Sequence, residues 1–103
     1  MKRPRELPPI AISPLGADLF LVRVGARTRH RVRASAAVLD RIRTAGETDP
    51  EVIQRAFKFL LEREPPEAIL SAFAIEDVAR YFPSFWTAMG ASLPPRAAEG
   101  GAV

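Results

Sequence analysis

The sequence predicts a small α+β domain in which an N-terminal β-hairpin packs against about four short α-helices. In residues 18–34, the arms on either side of Gly25-Ala26 are rich in strand formers or alternate polar with apolar side chains, which is typical of a hairpin. Residues 49–86 instead carry apolar side chains at helical spacing, interrupted by prolines. Because each short helix has one apolar face, the helices need an opposing surface, and the hairpin supplies it.

The length of 103 residues and the 48% hydrophobic content indicate one domain with a small core. We expect a flexible Pro-rich arm over residues 1–16, a single α+β domain over residues 17–92 and a disordered tail over residues 93–103. The prolines of the arm exclude a helix there, whereas Ile10 and Ile12 leave a brief edge strand as an alternative.

The hairpin has two possible registers. Gly25-Ala26 suits a two-residue turn, which pairs Val24 with Arg27. A three-residue loop shifts the pairing by one residue. It then places on one face the side chains of Phe20, Val22, Val24, His30 and Val32. The residues favour neither register.

Two helices are predicted directly after the hairpin. Ser35 is suited to cap the first one, Gly46 to stop it, and its inward residues would be Val38, Leu39 and Ile42. The second begins at Asp49-Pro50, or one residue earlier if Thr48 and Glu51 form a capping box. Its apolar stripe, which excludes Phe59, comprises Val52, Ile53, Ala56, Phe57, Leu60 and Leu61.

Two further short helices are predicted from the positions of prolines. Pro65-Pro66 ends the second helix, and Pro66 opens a third with Ile69, Leu70 and Phe73 turned inward. A last helix over residues 75–82 would bury Ile75, Val78, Ala79 and Phe82 before Pro83 closes it.

No residue pattern indicates catalysis, so we expect a protein that is not an enzyme and has no cofactor. The chain has no cysteine, and His30 is its one histidine, so no metal-ligand set is expected. No apolar stretch approaches the roughly 20 residues that cross a membrane, and no signal peptide is evident, so we expect a cytoplasmic protein without a membrane partner.

A row of arginines is the sharpest functional feature. Residues 1–46 include ten basic and three acidic residues, whereas residues 47–103 include five basic and nine acidic residues. Within the basic half, the alternate positions Arg27, Arg29, Arg31 and Arg33 project from one strand face. They are candidates for binding an anionic partner, nucleic acid included. The alternative is a solvated face, paired with the acidic half or covering aliphatic neighbours.

The aromatic residues near the end of the helical segment are candidates for protein contacts. Tyr81, Phe82, Phe85 and Trp86 lie within six positions. They either close the core or leave Tyr81 and Trp86 as anchors for a protein partner.

Two segments, FKFLLEREPPEAIL and FAIEDVARYFPSF, resemble a group of small bacterial proteins of unassigned function. Those proteins similarly join an "FLLEREP" helix to an "RYFP" ending. The resemblance covers residues 50–86, and the hairpin more loosely. It implies a bacterial, intracellular origin and no catalytic residue, cofactor or substrate.

The leading hypothesis for function is a non-enzymatic protein-interaction module. The alternative is a small nucleic-acid-binding or regulatory protein that uses the basic hairpin face. A homodimer is a further expectation, because a hairpin exposes two edges of unpaired backbone groups. The segment Ile10–Ile12 covers one edge at most, and the sequence indicates no cover for the other.

Overall fold

The structure of the protein, a computed structural model, describes residues 8–90. Its sheet has four strands, β1 (Ile10–Gly16), β2 (Leu19–Val24), β3 (Thr28–Arg33) and β4 (Ala72–Ala74), in the order β1-β2-β3-β4. β1 to β3 form an antiparallel meander, and β4 lies parallel to β3. The predicted α+β class is confirmed.

Helical elements follow β3 and flank β4. The α-helices of the described residues are α1 (Ala36–Ile42), α2 (Asp49–Leu61), α3 (Val78–Tyr81) and α4 (Phe85–Ala88). Two 3-10 turns, Pro66–Ala68 and Ile75–Asp77, precede β4 and α3 respectively.

The hairpin β2–β3 takes the register of the three-residue loop. Val24 pairs with Thr28, Val22 with His30 and Phe20 with Val32. Gly25 opens the loop at φ +58°, a left-handed conformation that glycine adopts without strain. The five side chains that this register groups on one face are all buried.

Residues 10–16, expected in the flexible arm, instead form β1 beside β2. Ile10 and Ile12 pair with Val24 and Val22 and pack half-buried against the core. Pro14 is tolerated because β1 lies at the edge of the sheet, where one side of the strand has no ladder to complete. The remainder of the arm, residues 1–7, and the predicted disordered tail lie outside the described residues.

The predicted helix that opens at Pro66 is wrong. Its first residues form only a 3-10 turn, and Ile69 already has extended dihedral angles. The chain then pairs with β3 as β4, which brings Phe73 opposite Val32. Burial of Phe73 through pairing with a distant strand overrides the local helical pattern. Leu70, predicted to face inward, is 54% exposed.

Both edges of the hairpin are covered, by β1 on one side and by β4 on the other. The expectation that the second edge lacks a cover is therefore wrong. It failed because a three-residue strand from a distant part of the chain leaves little pattern in the sequence. Self-association remains a prediction, but an unpaired hairpin edge no longer argues for it.

α2 forms the centre of the core. Thr48 is its N-cap: its Oγ1 accepts from the Glu51 N–H at 3.4 Å, and Glu51 Oε1 accepts from the Thr48 N–H at 2.8 Å. The apolar stripe predicted for α2 is buried throughout. Phe59, predicted off the stripe, is buried as well, because Phe82 and Phe85 pack edge-on against its ring.

The other helices follow their predicted positions more closely. Ser35 caps α1 by accepting from the Val38 N–H at 3.2 Å, and α1 ends at Ile42, four residues before the glycine that was expected to stop it. The predicted last helix begins as a 3-10 turn at Ile75 and continues as α3. Ile75 and Val78 are buried there, and Ala79 and Phe82 are half-buried.

Candidate functional site

Among the described residues, no helix packs against one face of the sheet. The inward face carries the buried residues of β2 and β3, and the ring of His30 lies 5.4 Å from that of Phe57 on α2. Side chains at the alternate positions point the opposite way and are exposed or half-buried. We call this the open face. It comprises Ala11, Ser13, Leu19, Leu21, Arg23, Arg29, Arg31, Arg33, Ala72 and Ala74.

The open face gathers four arginines on two neighbouring strands. Arg29, Arg31 and Arg33 follow one another on β3, at roughly 7 Å intervals. Arg23 on β2 lies directly opposite Arg29. All four side chains are exposed. Directly opposed like charges destabilise a strand pair unless counter-charges compensate them.

Within residues 8–90, no carboxylate lies within 4 Å of these four guanidinium groups. The remaining arginines of that range differ from them in this respect. Five have such a carboxylate: Arg27, Arg43, Arg55, Arg63 and Arg80. Arg41 instead stacks on Trp86 at 4.1 Å. The open face is thus the one place in the described chain where arginines cluster without such compensation.

Arg27 does not belong to the strand row. It lies in the loop before β3, and its Nε is 2.8 Å from Glu67 Oε2. Of the four predicted arginines it alone pairs with the acidic half of the described chain. Arg23 takes its place on the open face. Sequence reasoning missed Arg23 because the register that brings it beside Arg29 was undecided.

The open face offers little besides charge and a small apolar strip. Leu21 lies opposite Arg31 and Leu19 opposite Arg33, and both leucines are half-buried. Arginine stems can cover such aliphatic neighbours while their guanidinium groups stay in water. The face has no aromatic ring and no side-chain amide. It therefore lacks aromatic rings that stack on nucleic-acid bases and amides that pair with adenine, which leaves the arginines as its groups for contacting nucleic acid.

Arg55 has a structural role, in contrast to the open-face arginines. It donates to both carboxylate oxygens of Glu47, at 2.6 and 2.8 Å, and to the carbonyls of Ile42 and Met89. It thereby ties the end of α1 to α2 and to the residue after α4. The bonds from Arg55, together with that from the Thr44 N–H, lower the pKa of Glu47 to about 2.

Arg43 fastens the same connection between α1 and α2. Its guanidinium donates to Asp49 at 2.7 Å, to Asp40 at 3.0 Å and to the Glu47 carbonyl at 2.8 Å. Hydrogen bonds to Asp49 and then Asp40 raise the pKa of Arg43. These bonds hold the loop between α1 and α2 in place.

The two predicted aromatic anchors have different environments. Tyr81 is 68% exposed at the end of α3. Trp86 is half-buried on α4, packed between the ring of Phe85 and the guanidinium of Arg41. Trp86 therefore closes the core, and Tyr81 is the aromatic residue accessible to a partner.

His30 joins β3 to the segment before β4. It is 2% exposed, and its Nδ1 lies 2.7 Å from the Leu70 carbonyl oxygen. A carbonyl only accepts, so Nδ1 donates, and Nε2 is hydrogen-bonded to the Thr28 hydroxyl at 2.9 Å. Both ring nitrogens are thus engaged, which fits a structural role. Among residues 8–90, no three His, Cys, Asp or Glu side chains gather where they could hold a metal ion.

No protein-family model matches the chain, and neither the curated proteins nor the solved structures include one that is detectably similar to it. The resemblance to small bacterial proteins stays a prediction. In the described part of the chain, no helix has the length and apolar character needed to cross a membrane.

Proposed function

We propose that the protein is a non-enzymatic binding module whose open face binds the phosphate backbone of nucleic acid. The observation that supports this most is the cluster of Arg23, Arg29, Arg31 and Arg33, which are exposed and lack a carboxylate partner within residues 8–90. Guanidinium groups bind phosphate oxygens in pairs of parallel hydrogen bonds.

The arrangement of the charges favours a polymer over a small anion. A site for one phosphate needs donors that converge on one point. Here the four arginines occupy separate positions on two strands, and those on β3 lie at roughly 7 Å intervals. A polymer with closely spaced anionic groups can contact all four at once, whereas a single small anion cannot.

The same face favours binding without sequence preference. Phosphate contacts position a protein on nucleic acid, and base contacts supply specificity. The open face has no aromatic residue for stacking and no amide for pairing with base edges. A cytoplasmic location, which the sequence predicts, would place the protein beside its ligand.

A protein-interaction module is the second candidate function. The exposed side chains of Leu70 and Tyr81 favour it, because they lie together on a different surface of the molecule. The two functions are compatible, since they use separate residues.

Binding of short fluorescent DNA and RNA, single-stranded and duplex, tests the proposal by anisotropy at low salt. The variant Arg29→Gln/Arg31→Gln should bind at least about tenfold more weakly, since two phosphate contacts are lost. The matched control is Lys58→Gln/Arg80→Gln, which removes the same charge from exposed helical positions. We expect it to bind nearly as the unaltered protein does.

Absence of binding at low salt would refute the proposal. An equal loss of affinity in the two double variants would refute it as well, because net charge and not the open face would then determine binding.

A further inference from the structure

A groove of about 220 Å³ lies on the helical side of the molecule, away from the open face. It runs between the end of α2, the segment that leads into β4, and α3. Its lining is mostly apolar and includes Leu60, Ile69, Leu70, Phe73, Val78 and Tyr81.

Exposed apolar side chains concentrate at this groove. Three large hydrophobic residues of the described chain are exposed, and two of them, Leu70 at 54% and Tyr81 at 68%, line it. Scattered exposed hydrophobic residues are normal, whereas a cluster around a concave surface is typical of a binding site. Leu15, the third, is on β1.

The groove is negatively charged. Glu64 and Asp77 belong to its lining, and no lysine or arginine does. Within residues 8–90, Glu64 has no cation within 4 Å. Asp77 accepts from the Ala74 N–H at 3.3 Å, and its nearest cation, Arg80, is 4.0 Å away. A ligand that brings a positive charge would therefore gain a favourable interaction here.

The size of the groove favours side chains over a whole small molecule. Sites for small molecules and cofactors enclose about 300–1,000 Å³. A volume of about 220 Å³ is smaller than that range and is suited to one or two side chains of a peptide. The exposed ring of Tyr81 at the rim provides contact area with one polar group, a combination enriched in protein interfaces.

We propose that the groove docks a segment of a partner protein that carries a bulky apolar side chain next to a lysine or arginine. The apolar side chain fills the space between Leu70 and Tyr81, and the cation lies beside Glu64 or Asp77. This site is independent of the open face, because it has the opposite charge and shares no residue with it.

Selection from a random peptide display library on the full chain tests this proposal. Enriched peptides should combine Leu, Ile, Phe or Met with Lys or Arg at a fixed spacing. The affinity of a synthetic copy of the strongest peptide should fall at least about tenfold in Tyr81→Ala and in Leu70→Ala, the effect of losing a binding hot spot. It should also fall in Glu64→Gln.

Leu15→Ala is the matched control, because it removes a comparably exposed leucine outside the groove. It should leave peptide affinity unchanged, as should Arg29→Gln/Arg31→Gln. Lack of enrichment, acidic enriched peptides, or affinity that the groove variants do not change would overturn the proposal. Concentration-dependent self-association that Tyr81→Ala abolishes, without any peptide enriched, would overturn it in favour of a second copy of the chain.

Discussion

The neighbours of each arginine determine its role in this protein. Arg55 donates to a carboxylate and two carbonyls and holds elements together. Arg41 stacks on Trp86 and packs α1 against α4. The arginines of the open face have no such partner within the described residues and are exposed. Residue type alone does not separate these roles, so the sequence indicated a basic row but included Arg27 and omitted Arg23.

The bond between Glu47 and Arg55 leads to a prediction about pH. The pKa of Glu47 is lowered from 4.5 to about 2, chiefly because its carboxylate accepts from Arg55. The ionised carboxylate therefore stabilises the fold at pH values above the ordinary pKa of 4.5. That stabilisation is lost as the pH falls from about 4.5 to about 2. Glu47→Gln should therefore reduce the free energy of unfolding at pH 7 by about 1–3 kcal/mol.

Urea unfolding of both proteins between pH 7 and pH 2 measures this difference. The difference in the free energy of unfolding between the unaltered protein and Glu47→Gln should be constant down to about pH 4.5. Below that pH the difference should become smaller. Glu76→Gln is the control, since Glu76 is exposed and has no cation within 4 Å among the described residues. If this difference became larger in acid, the Glu47 carboxylate would not be stabilising the fold.

At the scale of elements, local signals determined what the sequence could predict. The apolar stripe of α2 lies within one helix and was recognised, and the capping box at Thr48 was one of the two starts that the sequence left open. β1 and β4 depend on pairing with other strands. β4 has three residues and lies about 40 positions after its partner β3. Apolar runs this short do not distinguish a strand from a helix, which is why the segment after Pro66 was misassigned.

The hydrogen bond from His30 to the Leu70 carbonyl should stabilise the pairing of β4 with β3. His30→Leu introduces an apolar side chain of similar size and leaves the Leu70 carbonyl and the Thr28 hydroxyl without this partner. We expect a loss of about 1–3 kcal/mol in the free energy of unfolding. The Arg31 amide, which donates to the Ser71 carbonyl at 2.8 Å, should exchange faster with solvent.

Amide hydrogen exchange followed by NMR separates a local effect from a global one. The reference is the Leu39 amide, which donates to the Ser35 carbonyl within α1 at 2.9 Å. Protection at Arg31 should fall more than protection at Leu39. An equal fall at both positions would mean that His30 contributes to overall stability and has no particular effect on β4.

At the scale of the whole molecule, the uneven charge of the sequence gives two surfaces of opposite charge, the basic open face and the acidic groove. The basic first half supplies three strands and the arginines of the open face. The acidic second half supplies the whole lining of the groove, including both of its carboxylates. The sequence left open whether the two halves neutralise each other. Among the described residues, only Arg27 forms an ion pair between the hairpin and the acidic half, so the opposite charges stay available to different partners.

The salt dependence of nucleic-acid affinity tests the central claim, phosphate binding by the open face, most directly. The logarithm of the binding constant falls by about 0.9 per contacted phosphate for each unit of log salt concentration. Four arginine contacts predict a slope of about −3 to −4, and Arg29→Gln/Arg31→Gln should make it shallower by about 2. Affinity that does not change with salt, or an equal slope in the two proteins, would contradict the account.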